Sequence, residues 1–141
     1  MKKFWLLLLP AFLFLVSCSK EEVQRPPIDE SEWLQKDRGF VVASSFNCDF
    51  FVVETARGYS VLRNWGGFAP IRGAVLYGNH DSFGLQTFYN RSEGYLMNAD
   101  IRDRYLGYFQ AIDQANWYCG AMNPGFGSFS ASADSTYIHK N

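Results

Sequence analysis

From Phe40 to Tyr89 the chain breaks into apolar runs of five to seven residues divided by turn-forming residues, a rhythm that admits few folds. Phe40 to Phe46 and Phe50 to Thr55 flank Asn47-Cys48-Asp49, which predicts a tight hairpin. Tyr59 to Arg63 follows the turn Ala56-Arg57-Gly58, and Trp65-Gly66-Gly67 then interrupts the pattern. Arg72 to Tyr77 and Phe83 to Tyr89 flank a second turn, Gly78-Asn79-His80-Asp81-Ser82. In the last run Phe83, Leu85, Thr87 and Tyr89 share one face by the period of two.

About five short strands, each apolar on at least one face, bury those faces most simply by curling into a barrel. The predicted fold is mainly β, a small closed or partly open barrel resembling an OB or SH3-like fold, with one C-terminal α-helix over one barrel end. The helix is expected over about residues 100–118. Asp100 would cap it and Asp103 would meet the positive end of its dipole. Ile101, Tyr105, Phe109 and Ile112 would form its apolar stripe, and Gly120 and Pro124 would stop it. The folded domain is placed at 31–120. Residues 121–141, rich in Gly, Ser and Ala, read as a flexible tail in which Phe126, Phe129 and Tyr137 could return as a strand.

The first 22 residues, MKKFWLLLLPAFLFLVSCSKEE, place two lysines before an apolar run of 13 residues from Phe4 to Val16. That run is too short to span a hydrocarbon core, which takes about 20 residues of helix, and it reads as a secretory signal peptide over 1–17. Leu15-Val16-Ser17-Cys18 resembles a bacterial lipobox, which implies lipidation (palmitate) of Cys18 and the membrane as a partner. Ser19-Lys20-Glu21-Glu22 resembles the export signal of Bacteroidota-type surface lipoproteins. The resemblance implies an outer-membrane, lipid-anchored location with display at the cell surface. Residues 18–30, with Pro26-Pro27 among charges, form a tether expected to stand the domain off the membrane.

The whole chain carries 13 basic and 14 acidic residues, and loss of Lys2 and Lys3 with the signal leaves 11 against 14. No basic patch is visible, so nucleic acid is not an expected partner.

Gly78-Asn79-His80-Asp81 resembles the ligand string of calcineurin-like metallophosphoesterases. A two-metal site needs about seven ligands from several loops, and this chain has only His80 and His139 as imidazoles. No metal or cofactor is therefore expected, and His80 is assigned to an exposed turn where its removal would cost within about 0.5 kcal/mol. His80, Asp81 and Ser82 are the residue types of a nucleophilic triad, but they are consecutive, whereas a triad converges from separate elements. No catalytic residue is assigned.

Cys48 and Cys119 are the thiols left once Cys18 is lipidated. In an oxidising envelope an even pair reads as a disulfide, the alternatives being two unpaired buried thiols or a catalytic cysteine. The mature chain keeps 21 aromatic residues. Trp65 beside two glycines, with Arg63, and Trp117 near the helix end are the binding candidates. Asn90-Arg91-Ser92 matches an N-glycosylation sequon that bacteria with such a signal rarely use, and Asp134-Ser135-Thr136 resembles a Bacteroidota O-glycosylation acceptor. The expected role is binding or structural in the cell envelope, with an envelope protein or glycan as partner. The alternatives are a small envelope hydrolase and an inhibitor of a hydrolase.

Overall fold

The computed structural model describes residues 26–129. The signal segment, Cys18, most of the tether, Asp134-Ser135-Thr136, Tyr137 and His139 lie outside the described residues. The elements are α1 (Glu30–Trp33), β1 (Asp37–Ser45), β2 (Cys48–Thr55), β3 (Gly58–Trp65), β4 (Val75–Gly78), β5 (Gly84–Asn90), β6 (Tyr95–Leu106) and α2 (Tyr108–Met122). All neighbouring strands are antiparallel and close in the order β1-β2-β3-β6-β5-β4. The mainly β barrel with a C-terminal helix is thus present, with six strands rather than about five.

The sixth strand stands where the sequence suggested the start of a helix. Met97, Ala99 and Ile101 alternate inward, while Asn98, Asp100 and Arg102 alternate outward. A period of two was present, and the spacing of Ile101, Tyr105 and Phe109 masked it. Asp100 pairs with Arg102 at 3.1 Å instead of capping. Tyr105 takes a positive φ of 61° and turns the chain out of the strand. Gly107 then caps α2, its N–H donating to the Gln110 side chain at 3.1 Å. The helix runs to Met122, past Gly120, and ends where Asn123 donates back to the Cys119 carbonyl before Pro124.

Two cores result. Val41, Phe51, Val53, Leu62, Leu76, Phe88 and Ile101 fill the barrel. Phe50, Val52 and Val61 lie on the outer wall beneath Ala111, Ile112 and Ala115 of α2. The helix therefore covers the side of the barrel, not an end. The tail follows it: Phe126 and Phe129, ring centroids 5.1 Å apart, pack on this outer core. Asn116 holds Phe129 by both main-chain groups, accepting from its N–H at 2.7 Å. Residues 123–129 are thus fixed against α2 as a non-strand segment, and the expected flexible tail does not begin at 121.

Strand direction gives the barrel two distinct ends. The near end gathers the β1–β2, β3–β4 and β5–β6 connections and the C-terminus of α2, whose Asn123 side chain donates to the Asn47 carbonyl. The far end gathers the β2–β3 and β4–β5 connections and the exit of β6. β1 begins at the far end, where Asp37 pairs with Gly78, and α1 lies on the outer wall before it: Glu30 accepts from the Tyr89 hydroxyl at 2.5 Å and lies 3.9 Å from Arg91 of the β5–β6 turn.

Cys48 and Cys119 form a disulfide with Cα atoms 5.5 Å apart and a sequence separation of 71. It ties the first hairpin to the last turn of α2, and both sulfurs belong to the outer core. Closing a loop of this length contributes about 4 kcal/mol in the chain-entropy model. The double variant Cys48→Ala/Cys119→Ala is expected to unfold in urea with about 2–4 kcal/mol less stability. Alkylation of the wild type without reductant should label neither residue, even in denaturant; ready reaction of both would show the bond to be absent.

Candidate functional site

The three binding candidates lie in one row on the outer wall, joined by two residues that the sequence did not single out. The Arg63 guanidinium stands 5.7 Å from the Trp65 ring and 5.9 Å from the Phe50 ring. Phe50 stacks on Tyr118 at 4.5 Å with the rings nearly parallel, and Tyr118 meets Trp117 edge to face at 5.1 Å. The row thus runs Trp65, Arg63, Phe50, Tyr118, Trp117, from β3 across β2 to α2. Its two ends are open to solvent, Trp65 at 57% and Trp117 at 65% exposure. Its middle is fixed: Phe50 is buried, and the Tyr118 hydroxyl donates to Asp103 at 3.0 Å. Partial burial and that acidic partner raise the Tyr118 pKa, so the phenol stays a neutral donor.

Trp65 is aimed by its neighbours. Asn64 is buried, and its side-chain amide donates to the carbonyls of Gly66 and Gly67 at 2.9 and 3.0 Å. Both glycines have positive φ, a region a side chain would oppose. The sequence showed the glycine pair, but the role of Asn64 has no signal except that an amide precedes the turn.

The Asn79-His80-Asp81-Ser82 stretch is a turn organised by Asn79, whose side chain accepts from the Asp81 N–H at 3.0 Å and donates to Ser82 Oγ at 2.9 Å. Asp81 faces outward and is held by Arg57 and by the Tyr105 hydroxyl at 3.0 Å. His80 is not exposed, contrary to the sequence expectation. It turns into the barrel at 2% exposure, 4.9 Å from the Phe88 ring. A Cβ on Gly39 would fall 2.8 Å from the imidazole and 2.4 Å from Val53, so glycine there makes the room. Burying an imidazole removes atoms that fill the barrel if it is deleted, so His80→Ala costs about 1–3 kcal/mol rather than a surface value.

His80 and Asp81 therefore diverge, one into the barrel and the other toward Arg57 and Tyr105. Among the described residues no group of three or more His, Cys, Asp and Glu side chains is placed to hold a metal. A recess of about 260 Å³ at the near end, between Phe46, Asp49, Met122 and Asn123, offers Asp49 as its one ionisable side chain. Asn90 of the sequon is fully buried and donates to Glu93 at 2.6 Å. No protein family, curated protein or solved structure matches the chain.

Burial lowers the His80 pKa. The Leu76 main chain and the carboxylates of Asp37 and Asp81 pull the other way, yet neither ring nitrogen has a partner in hydrogen-bonding geometry. The folded state thus keeps the imidazole neutral, whereas the unfolded chain protonates near pH 6.5. Its contribution is complete above that pH and declines as the pH falls below it. Thermal unfolding from pH 8 to pH 5 should show the wild-type midpoint dropping more steeply than that of His80→Phe, which keeps an aromatic ring against Phe88. Equal slopes would show that His80 does not titrate differently on folding.

Proposed function

We propose that this protein is a lipid-anchored outer-membrane protein of Bacteroidota type, held at Cys18, whose barrel wall binds an envelope protein or a glycan. The observation that carries the binding role is the row of five side chains with an exposed tryptophan at each end. An indole face accepts the apolar side of a sugar ring or an aliphatic side chain, and the Arg63 guanidinium beside it donates hydrogen bonds in a fixed fork. The stacked Phe50–Tyr118 pair pre-orients both ends, so little side-chain freedom is lost on binding. A hydrolase has less support, because His80 is buried away from Asp81. The anchor reading is supported by the lipobox and the apolar run that precedes it.

Two measurements test the proposal. Intact-mass analysis of the mature protein should find a chain beginning at Cys18 and carrying acyl groups, and Cys18→Ala should remain unprocessed or be released from membranes. An unmodified residue 18 would defeat the anchor. Co-sedimentation with envelope glycans and capture of envelope proteins should weaken about 10-fold or more in Trp65→Ala and in Trp117→Ala, as loss of about 1.4 kcal/mol at a hot spot implies. Retention unaffected by either substitution would remove the wall as the binding face.

A further inference from the structure

The near end of the barrel carries a second aromatic feature that the wall row does not use. Phe46 projects from the β1–β2 hairpin and Phe68 from the β3–β4 loop, at 78% and 76% exposure. Their rings meet edge to face at 6.4 Å, so two separate connections present one joint tip. Ile71, half exposed, follows in the same loop. No residue from Ala43 to Cys48 or from Asn64 to Ile71 is charged. Asp49 and Arg72 flank these two tips, so a shallow contact made through the rings alone leaves both charges hydrated, whose burial would be costly. Convex aromatic tips of this kind suit the headgroup region of a bilayer, where aromatic side chains are enriched and apolar faces bury shallowly.

The course of the chain supplies the occupant. Asp29 caps α1, and Glu30 is fixed to Tyr89 and lies 3.9 Å from Arg91 of the β5–β6 turn, so the start of α1 sits beside a near-end connection although β1 itself begins at the far end. Cys18 and Asp29 are 11 positions apart in sequence, a stretch that extended spans at most about 40 Å. A tether so short keeps the tips at high effective concentration beside the surface that holds the anchor, so even a weak surface affinity is used.

We infer that the near end rests on the lipid bilayer through Phe46, Phe68 and Ile71, with the wall row left facing sideways into the envelope. The inference rests on the proposed anchoring at Cys18, and it places the domain against the membrane where the proline-containing tether alone suggested a stand-off.

The test uses the mature, membrane-extracted protein in phosphatidylethanolamine–phosphatidylglycerol vesicles, with some lipids brominated on their acyl chains as quenchers. Phe68→Trp and Phe46→Trp place probes at the near end. Phe83→Trp places one at an exposed far-end position, over the same background of native tryptophans. The near-end probes are expected to be quenched at least twofold more strongly than the far-end probe and to shift to the blue. Equal quenching of all three overturns the docking and leaves the tips to a protein partner. Intact mass on the same samples separates the two ideas. Acylated protein with unquenched near-end probes defeats the docking alone, whereas an unacylated Cys18 defeats the anchor and this inference with it.

Discussion

Phe51 and Val53 point into the barrel while Phe50 and Val52 point out of it, so β2 is buried on both faces. Four adjacent apolar side chains on one strand cannot be covered by a sheet that closes on itself, since closure hides only the inner pair. A second layer has to lie on the outside, and α2 supplies it with the small residues Ala111 and Ala115, which let the helix approach the strand closely. The rest follows from serving those two cores. The barrel closes to fill the first, and the helix, the disulfide and Phe126 and Phe129 complete the second.

Closure needs curvature, and the register shows where it is made. β1 slips against β2 at two points between Val41 and Ser45, and β3 slips against β6 between Tyr59 and Leu62. Such irregularities bend a strand and let it pair on both edges with different partners. β1 uses this by pairing with β4 over Asp37–Phe40 before it continues along β2. At the far end the interior narrows onto His80, which fills the space that the absence of a side chain at Gly39 leaves.

The strands were legible wherever turn residues bounded them: Asn47, Gly58, the Gly66-Gly67 pair and the Asn79 turn all fall at strand ends. β6 was misread because Tyr95–Leu106 is long and its outward positions carry Asp and Arg, whose spacing also suits a helix start. Gly107, which falls inside the helix expected over about residues 100–118, is instead its boundary, and only the positive φ of Tyr105 makes that visible. The burial of His80 was illegible for a different reason. Its neighbours Asn79, Asp81 and Ser82 are turn formers, and nothing local says that one side chain of the turn points inward. That depends on Gly39, Val53 and Phe88, which come from three other strands. The row from Trp65 to Trp117 was legible at its ends, where glycines and the helix terminus marked exposed aromatics. Its middle was not, because Phe50 and Tyr118 lie 68 positions apart in sequence and meet only when α2 lies on β2.

The two barrel ends are built differently, and the contrast bears on what each can do. At the near end the Cys48–Cys119 bond and the Asn123–Asn47 hydrogen bond fix the hairpin that carries Phe46. Asn64 fixes the loop that begins at Trp65, and Ser92 accepts from the Val75 N–H at 3.0 Å where that loop returns to the sheet. Aromatic groups held this way lose little freedom on contact with another surface, so a modest buried area suffices for binding. At the far end Asp81 is shared by Arg57 and Tyr105 on the solvent side, and Arg104 lies over the Phe83 and Tyr105 rings. An exposed ion pair of this sort contributes little to stability, and it adds no covalent or main-chain brace. The rigid end is the one that displays the braced apolar rings of Phe46 and Phe68, with its charged residues, Asp49 and Arg72, flanking the tips and not on them. The far end closes the barrel over His80 and presents charge to water.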